Sequence, residues 1–196
     1  MVYKIEETSF MTWRDANNPN DRTNYAVNFS GNPKRDNKWH SYARKASIII
    51  PENLAEELTS YGIWVGMTKP PKVKNAQGEL VEEVEGFTPT YYTSVNLNYN
   101  PDFRDEDQPK VYLVVPGTPA MPLNEDSVGI VDQLADAGKI EYVDIDVKRS
   151  YSKKREKWSL YVDVMYVVQK NDQRDSFKDK YQTQQASAPE EETAPF

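Results

Sequence analysis

The sequence predicts a mainly β chain, a five-stranded barrel with additional N-terminal strands and two short helices, and three observations lead there. Several segments alternate apolar and polar residues with the period of two that a half-buried strand requires. Apolar residues make up only 38% of the chain and lean on rings, with thirteen Tyr, six Phe and four Trp, which suit strands and wet surfaces. Helical spacing occurs in two short stretches, each closed by a glycine.

Taken in order, residues 1–22 read as a polar, irregular N-terminal extension with a turn cluster at Asn17-Asn18-Pro19-Asn20. A folded domain is expected over residues 23–180. Tyr25–Phe29 alternates like a short strand, and Lys34–His40 forms a basic loop carrying Trp39. Ala46–Ile50 reads as a buried strand end. Pro51 and Glu52 then open a helix with Leu54, Leu58 and Tyr61 at helical spacing and Gly62 as its stop. Ile63–Met67 resumes as a strand, followed by a long loop over 69–89.

Tyr91–Tyr99 is the clearest alternating segment. Tyr91, Thr93, Val95, Leu97 and Tyr99 lie on one side, and Tyr92, Ser94, Asn96 and Asn98 on the other. Val111–Val115 is a further strand. Asn124 caps a short helix with Val128, Val131 and Leu134 inward and Gly138 at its end. Ile140–Val147 and Trp158–Val168 alternate, the latter with Leu160, Val162, Val164, Tyr166 and Val168 on its apolar face. Between them sits a strongly basic hairpin tip, Lys148–Arg155. From about Tyr181 the composition of Gln, Ser, Ala, Pro and Glu builds no core, so 181–196 reads as a disordered acidic tail.

From Ile63 onward the order is strand, long loop, strand, strand, helix, strand, basic hairpin, strand. That is the element order of an oligonucleotide/oligosaccharide-binding (OB) barrel, whose ligands cross the face of strands 2 and 3 between the first–second and fourth–fifth loops. Residues 43–50 compete with 62–68 for the first-strand role.

Composition removes several function classes. Without cysteine there is no thiolate metal site or thiol nucleophile, and with His40 as the lone histidine no His-rich metal cluster and little scope for a His-based triad. No cofactor or metal is expected. The start MVYKIEET lacks the apolar run of a signal peptide, and no stretch approaches the roughly 18 apolar residues of a membrane span. The net charge of −7 opposes a polyanionic partner only on average, because Glu190, Glu191 and Glu192 put −3 of it in the tail. Local field decides where a polyanion docks.

Binding of single strands needs cations along the phosphates and flat side chains under the bases. Two basic clusters hold both. The first combines Lys34, Arg35, Lys38, Arg44 and Lys45 with Trp39 and Tyr42. The second combines Lys148, Arg149, Lys153, Lys154, Arg155 and Lys157 with Tyr151 and Trp158. Trp64 faces away from Ile63 and Val65, and Tyr92 shares the polar side of its strand; both are candidate stacking residues. The competing interpretation makes the lysine-rich tip a solvated, aggregation-resistant turn and Trp39 and Trp158 core residues. The acidic run before Pro195-Phe196 offers a partner an aromatic plug, a terminal carboxylate and the acids Glu190, Glu191 and Glu192.

The C-terminus resembles the acidic, Pro-Phe-ending tip of bacterial single-stranded DNA-binding proteins, with Thr-Ala-Pro-Phe here where those read Asp-Ile-Pro-Phe. Asn28–Asp36, Ala43–Pro51, Gly86–Tyr92 and Pro109–Leu113 are similar to phage-encoded single-stranded DNA-binding proteins. The resemblance implies an OB barrel that protects single-stranded DNA during replication, recombination or repair in the cytoplasm of an infected bacterial host. It also implies a tail that contacts replication proteins such as polymerase, helicase or primase. Strands outside the barrel leave edges to cover, which suits a homodimer.

Two other classes compete. A protein-interaction module would use the tail and bind no nucleic acid. An enzyme could place Mg²⁺ on Asp102, Asp105, Glu106 and Asp107, but Arg104 sits among them and no phosphate loop, HExxH or nucleophile elbow accompanies them. A non-enzyme is therefore expected. An OB protein for single-stranded RNA fits the residues as well as one for DNA; the resemblance alone favours DNA.

Overall fold

A computed structural model describes residues 1–35, 44–74, 77–100, 102 and 104–171. The strands are β1 (Val2–Thr8), β2 (Val27–Asn28), β3 (Lys45–Ile50), β4 (Val65–Met67), β5 (Lys72–Lys74), β6 (Leu80–Glu82), β7 (Tyr91–Asn96), β8 (Lys110–Val114), β9 (Met121–Leu123), β10 (Ile140–Ser152) and β11 (Lys157–Gln169). Helix α1 (Glu52–Ser60) lies between β3 and β4, and α2 (Ile130–Asp136) between β9 and β10. The protein is mainly β. Nine strands form one mixed sheet along the path β1-β10-β11-β7-β3-β2, with β4 on β7 and β8 and β9 beyond β11. β5 and β6 form a separate two-stranded sheet.

Alternation explains the central strands. β3 buries Ala46, Ile48 and Ile50, and β7 buries Thr93 and Val95, so their inner sides meet one core with Val143, Ile145, Val147, Leu160 and Val162. α1 covers the core with Leu54, Ala55 and Leu58 and stops at Gly62, whose φ of 70° is readily adopted without a Cβ. α2 adds Val131 and Ala135, and Val128 lies buried in the turn before it.

Two expectations are corrected. The first residues are not irregular: Val2–Thr8 pairs antiparallel with β10, matching Ile5 to Ile145 and Tyr3 to Val147. Lys4, Glu6 and Glu7 disguise that strand by taking its exposed positions, while Tyr3 and Ile5 are buried. Beyond β1 the chain runs along β3, where Phe10 bridges Ile48, Met11 N–H donates to the Ser47 carbonyl at 2.8 Å, and Ile49 N–H donates to the Ser9 carbonyl at 2.9 Å.

The second correction concerns β11. Its register against β10 slips between Asp146↔Val164 and Val147↔Val162, which leaves Asp163 as an extra residue. Such a bulge inverts the facing of everything after it. Leu160 and Val162 point inward, then Met165 and Val167 do, and the expected inward residues Val164, Tyr166 and Val168 turn out. Tyr166 instead stacks on Tyr112 of β8, centroids 4.8 Å apart and planes 13° from parallel. The expected long loop over 69–89 holds the β5–β6 arm, in which Val73 faces Val81.

Candidate nucleic-acid interface

The outer side of β3 and β7 is polar along most of its length and aromatic at one end. On the side away from the core, Lys45 pairs with Asn96, Ser47, itself buried, with Ser94, and Ile49 with Tyr92. The Lys45–Asn96 row continues across two further strands, because Asn96 is matched to Tyr161 and Tyr161 to Lys148. Lys148 Nζ lies 2.6 Å from Asp163, the bulge residue.

At the aromatic end, Tyr92 meets Trp64 edge-on at 5.5 Å and Trp13 edge-on at 5.6 Å. Both tryptophans are open to solvent, Trp64 at 57% and Trp13 at 39%. Indoles left this exposed contribute little to the core and leave ring area for a flat ligand. Gly66, matched to Tyr92 across the β4–β7 ladder, makes the arrangement sterically possible, since a Cβ there would collide with the Tyr92 ring. Thr93, buried on the core side, anchors β4 by donating its hydroxyl to the Trp64 carbonyl at 2.7 Å. Buried Asn24 holds Trp13: its Oδ1 accepts from the Trp13 N–H at 2.9 Å, and its Nδ2 donates to the Met11 carbonyl at 2.9 Å.

The basic hairpin divides into two parts. Arg149 and Trp158 continue the core side of β10 and β11: the guanidinium lies 3.9 Å from the centroid of Tyr61 and 5.1 Å from that of Trp158. Trp158 packs against the core, and Tyr151 tilts onto it at 5.2 Å. This cluster shares the side of β11 that carries buried Leu160, whereas Tyr92 lies opposite buried Thr93 and Val95. The two aromatic clusters therefore do not share one surface, and Arg149 and Trp158, expected as DNA contacts, pack at the edge of the core. The tip itself, Lys153, Lys154, Arg155 and Lys157, is exposed, and so is Tyr151.

The first basic cluster is also divided. Lys34 is exposed. Arg35, only 12% exposed at its side chain, bonds Asp136 at 2.6 Å and lies 3.6 Å from Asp132, so it ties the 24–35 segment to α2 instead of facing solvent. Asp132 completes the tie by accepting the N–H groups of Phe29 at 2.7 Å and Ser30 at 3.0 Å. Arg44 donates to the Phe29 carbonyl at 2.8 Å and pairs with Glu125 at 2.9 Å. Both arginines, expected as ligand contacts, thus brace the fold. Lys38, Trp39 and Tyr42 lie outside the described residues, as do Glu190, Glu191, Glu192, Pro195 and Phe196.

Sequence reasoning singled out none of Trp13, Asn96, Tyr161 and Tyr61 as site residues. A tryptophan inside a polar stretch was the available signal for the first; the others needed the register. Burial pushes the Tyr99 phenol up to about 12, offset in part by the Arg44 guanidinium 5.9 Å from its ring. Among the described residues no group of three His, Cys, Asp or Glu side chains is placed to hold a metal ion, and the Asp105–Asp107 turn is tied instead to Arg104. No helix there is long and apolar enough to cross a membrane. No family model matches the chain, and no curated protein or solved structure matches it either.

Proposed function

We propose that the protein binds and protects single-stranded DNA without sequence preference, on an OB barrel whose ligand face is the outer side of β3 and β7. The observation that carries this reading is the Trp13–Tyr92–Trp64 trio, its two tryptophans exposed, on the same side of the sheet as the Lys45–Asn96–Tyr161–Lys148 row. Stacking platforms tolerate every base, so such a face gives affinity without a code.

The barrel reading draws support from five strands, β1, β10, β11, β7 and β3, each hydrogen-bonded to the next in that order, with the segment after β1 returning to β3 through the Phe10–Ile48 bridge. α2 falls between the third and fourth of these strands in chain order, as an OB fold requires. With β1 as first strand, β3 and β7 become the second and third, whereas the sequence left residues 43–50 and 62–68 competing for the first-strand role. The first–second connection then spans residues 12–44, which include Lys34, Lys38, Trp39 and Tyr42. The fourth–fifth connection is the basic tip. OB ligands lie between these two loops.

The resemblance to phage single-stranded DNA-binding proteins favours DNA over RNA and replication, recombination or repair in an infected host's cytoplasm as the setting. In this reading the acidic tail recruits replication partners and competes with DNA for the groove. The test is tryptophan fluorescence on adding oligothymidine at low salt. Quenching by single strands, with duplex of equal length binding more weakly, is expected; an unchanged signal, or preference for duplex, rejects the reading.

A further inference from the structure

The β5–β6 arm is an isolated hairpin with exposed side chains on both of its faces and strongly segregated charge. Val73, Val81, Leu80 and Val84 all stand in solvent. In the main chain the two strands pair only with each other among the described residues, which leaves each with an outer edge. Open edges bearing apolar side chains template the addition of another strand. β5 and its approach are basic, with Lys69, Lys72 and Lys74, while β6 and its exit are acidic, with Glu82, Glu83 and Glu85.

We infer that the arm joins copies of this protein head to tail, the outer edge of β5 in one copy pairing with the outer edge of β6 in the next. Charge selects that occupant. Two β5 edges, or two β6 edges, would set like charges against each other, so a two-fold pairing of equivalent edges is disfavoured. A β5 edge against a β6 edge sets lysines against glutamates. Within the arm the same two sequences already pair, Lys72 with Glu82 and Val73 with Val81, so the match between copies repeats one the fold uses. Nucleic acid is the poorer occupant: residues 69–85 carry three lysines against four glutamates. A heterologous contact that does not close on itself builds a line. On the proposed DNA-binding reading, that line follows the strand and makes binding cooperative.

The test begins without DNA, so that it stands apart from the binding reading. Sedimentation of the full chain over a range of concentrations should show mass rising without a plateau at two, and less so in high salt. K72E/K74E should weaken association about tenfold or more, and K72E/K74E/E82K/E83K, which restores opposite charges, should recover it. On long poly-dT the wild type should bind cooperatively and K72E/K74E should not, with affinity for a one-site oligothymidine unchanged. A chain that stays monomeric, a closed dimer, or association indifferent to both variants would overturn the inference; loss of oligothymidine binding with association intact would overturn only the DNA reading.

Discussion

At the scale of single residues, exposure separates the tryptophans by role. Trp64 stands on the surface and Trp158 packs against the core, so removing them should have opposite consequences. Trp64→Ala is expected to leave the melting temperature nearly unchanged and weaken oligothymidine binding by about 1–3 kcal/mol, the usual worth of one stacking platform. Trp158→Ala should lower stability by about 3 kcal/mol in urea denaturation, at the lower end of the range for buried aromatic truncations because part of the ring is open. Tyr99 gives a pH-dependent case. Its folded value of about 12 lies above the ordinary 10, so the neutral form is the one the fold favours. That stability is fully present below pH 10 and lost as pH rises toward 12. Tyr99→Phe should therefore flatten the alkaline fall in melting temperature between pH 10 and 12 while leaving it little changed at pH 7.

At the scale of elements, the strands that alternate cleanly were legible and those carrying an irregularity were not. β7 declared itself because Thr93 and Val95 alternate with Tyr92, Ser94 and Asn96 without a break. β1 did not, since Lys4 and Glu6 on its outer side and a register slip between Ile5 and Thr8 leave few apolar positions to count. β11 was found but read with the wrong phase, because nothing in the string Val162-Asp163-Val164 marks which residue the bulge absorbs. The site followed the same rule: Tyr92 and Trp64 were visible from alternation, whereas Trp13 reaches them only through the fold of the 9–24 segment. Arg35 looked like a free cation for want of any local sign that Asp132 and Asp136, a hundred residues away, would come to meet it. Breaking this tie should show its structural role. Arg35→Ala leaves a buried Asp132 carboxylate without its counter-charge, and a loss of about 3 kcal/mol is expected in urea unfolding. A loss of DNA affinity at unchanged stability would instead return Arg35 to the ligand face.

At the scale of the whole molecule, an anion of net charge −7 is proposed to hold a polyanion, so the balance between local and global charge is what experiment has to measure. The hairpin tip presents Lys153, Lys154, Arg155 and Lys157 to solvent. If those four meet phosphates, counterion release gives a slope of about −3 in a plot of log affinity against log salt, at roughly 0.7 per contact on a single strand. Affinity for oligothymidine should then fall about a thousandfold between 50 and 500 mM salt. The tail enters with the opposite sign. Deleting residues 181–196 removes three of the molecule's acids and takes its net charge from −7 to −4. If those acids occupy the same cations in the absence of DNA, the truncated chain binds more tightly at low salt, and the two chains converge as salt screens both competitors. Fluorescence titration of both chains at four or five salt concentrations decides it. Equal affinities at every salt would mean that the tail does not contact the groove, and a slope near zero would mean that the tip cations do not contact phosphate.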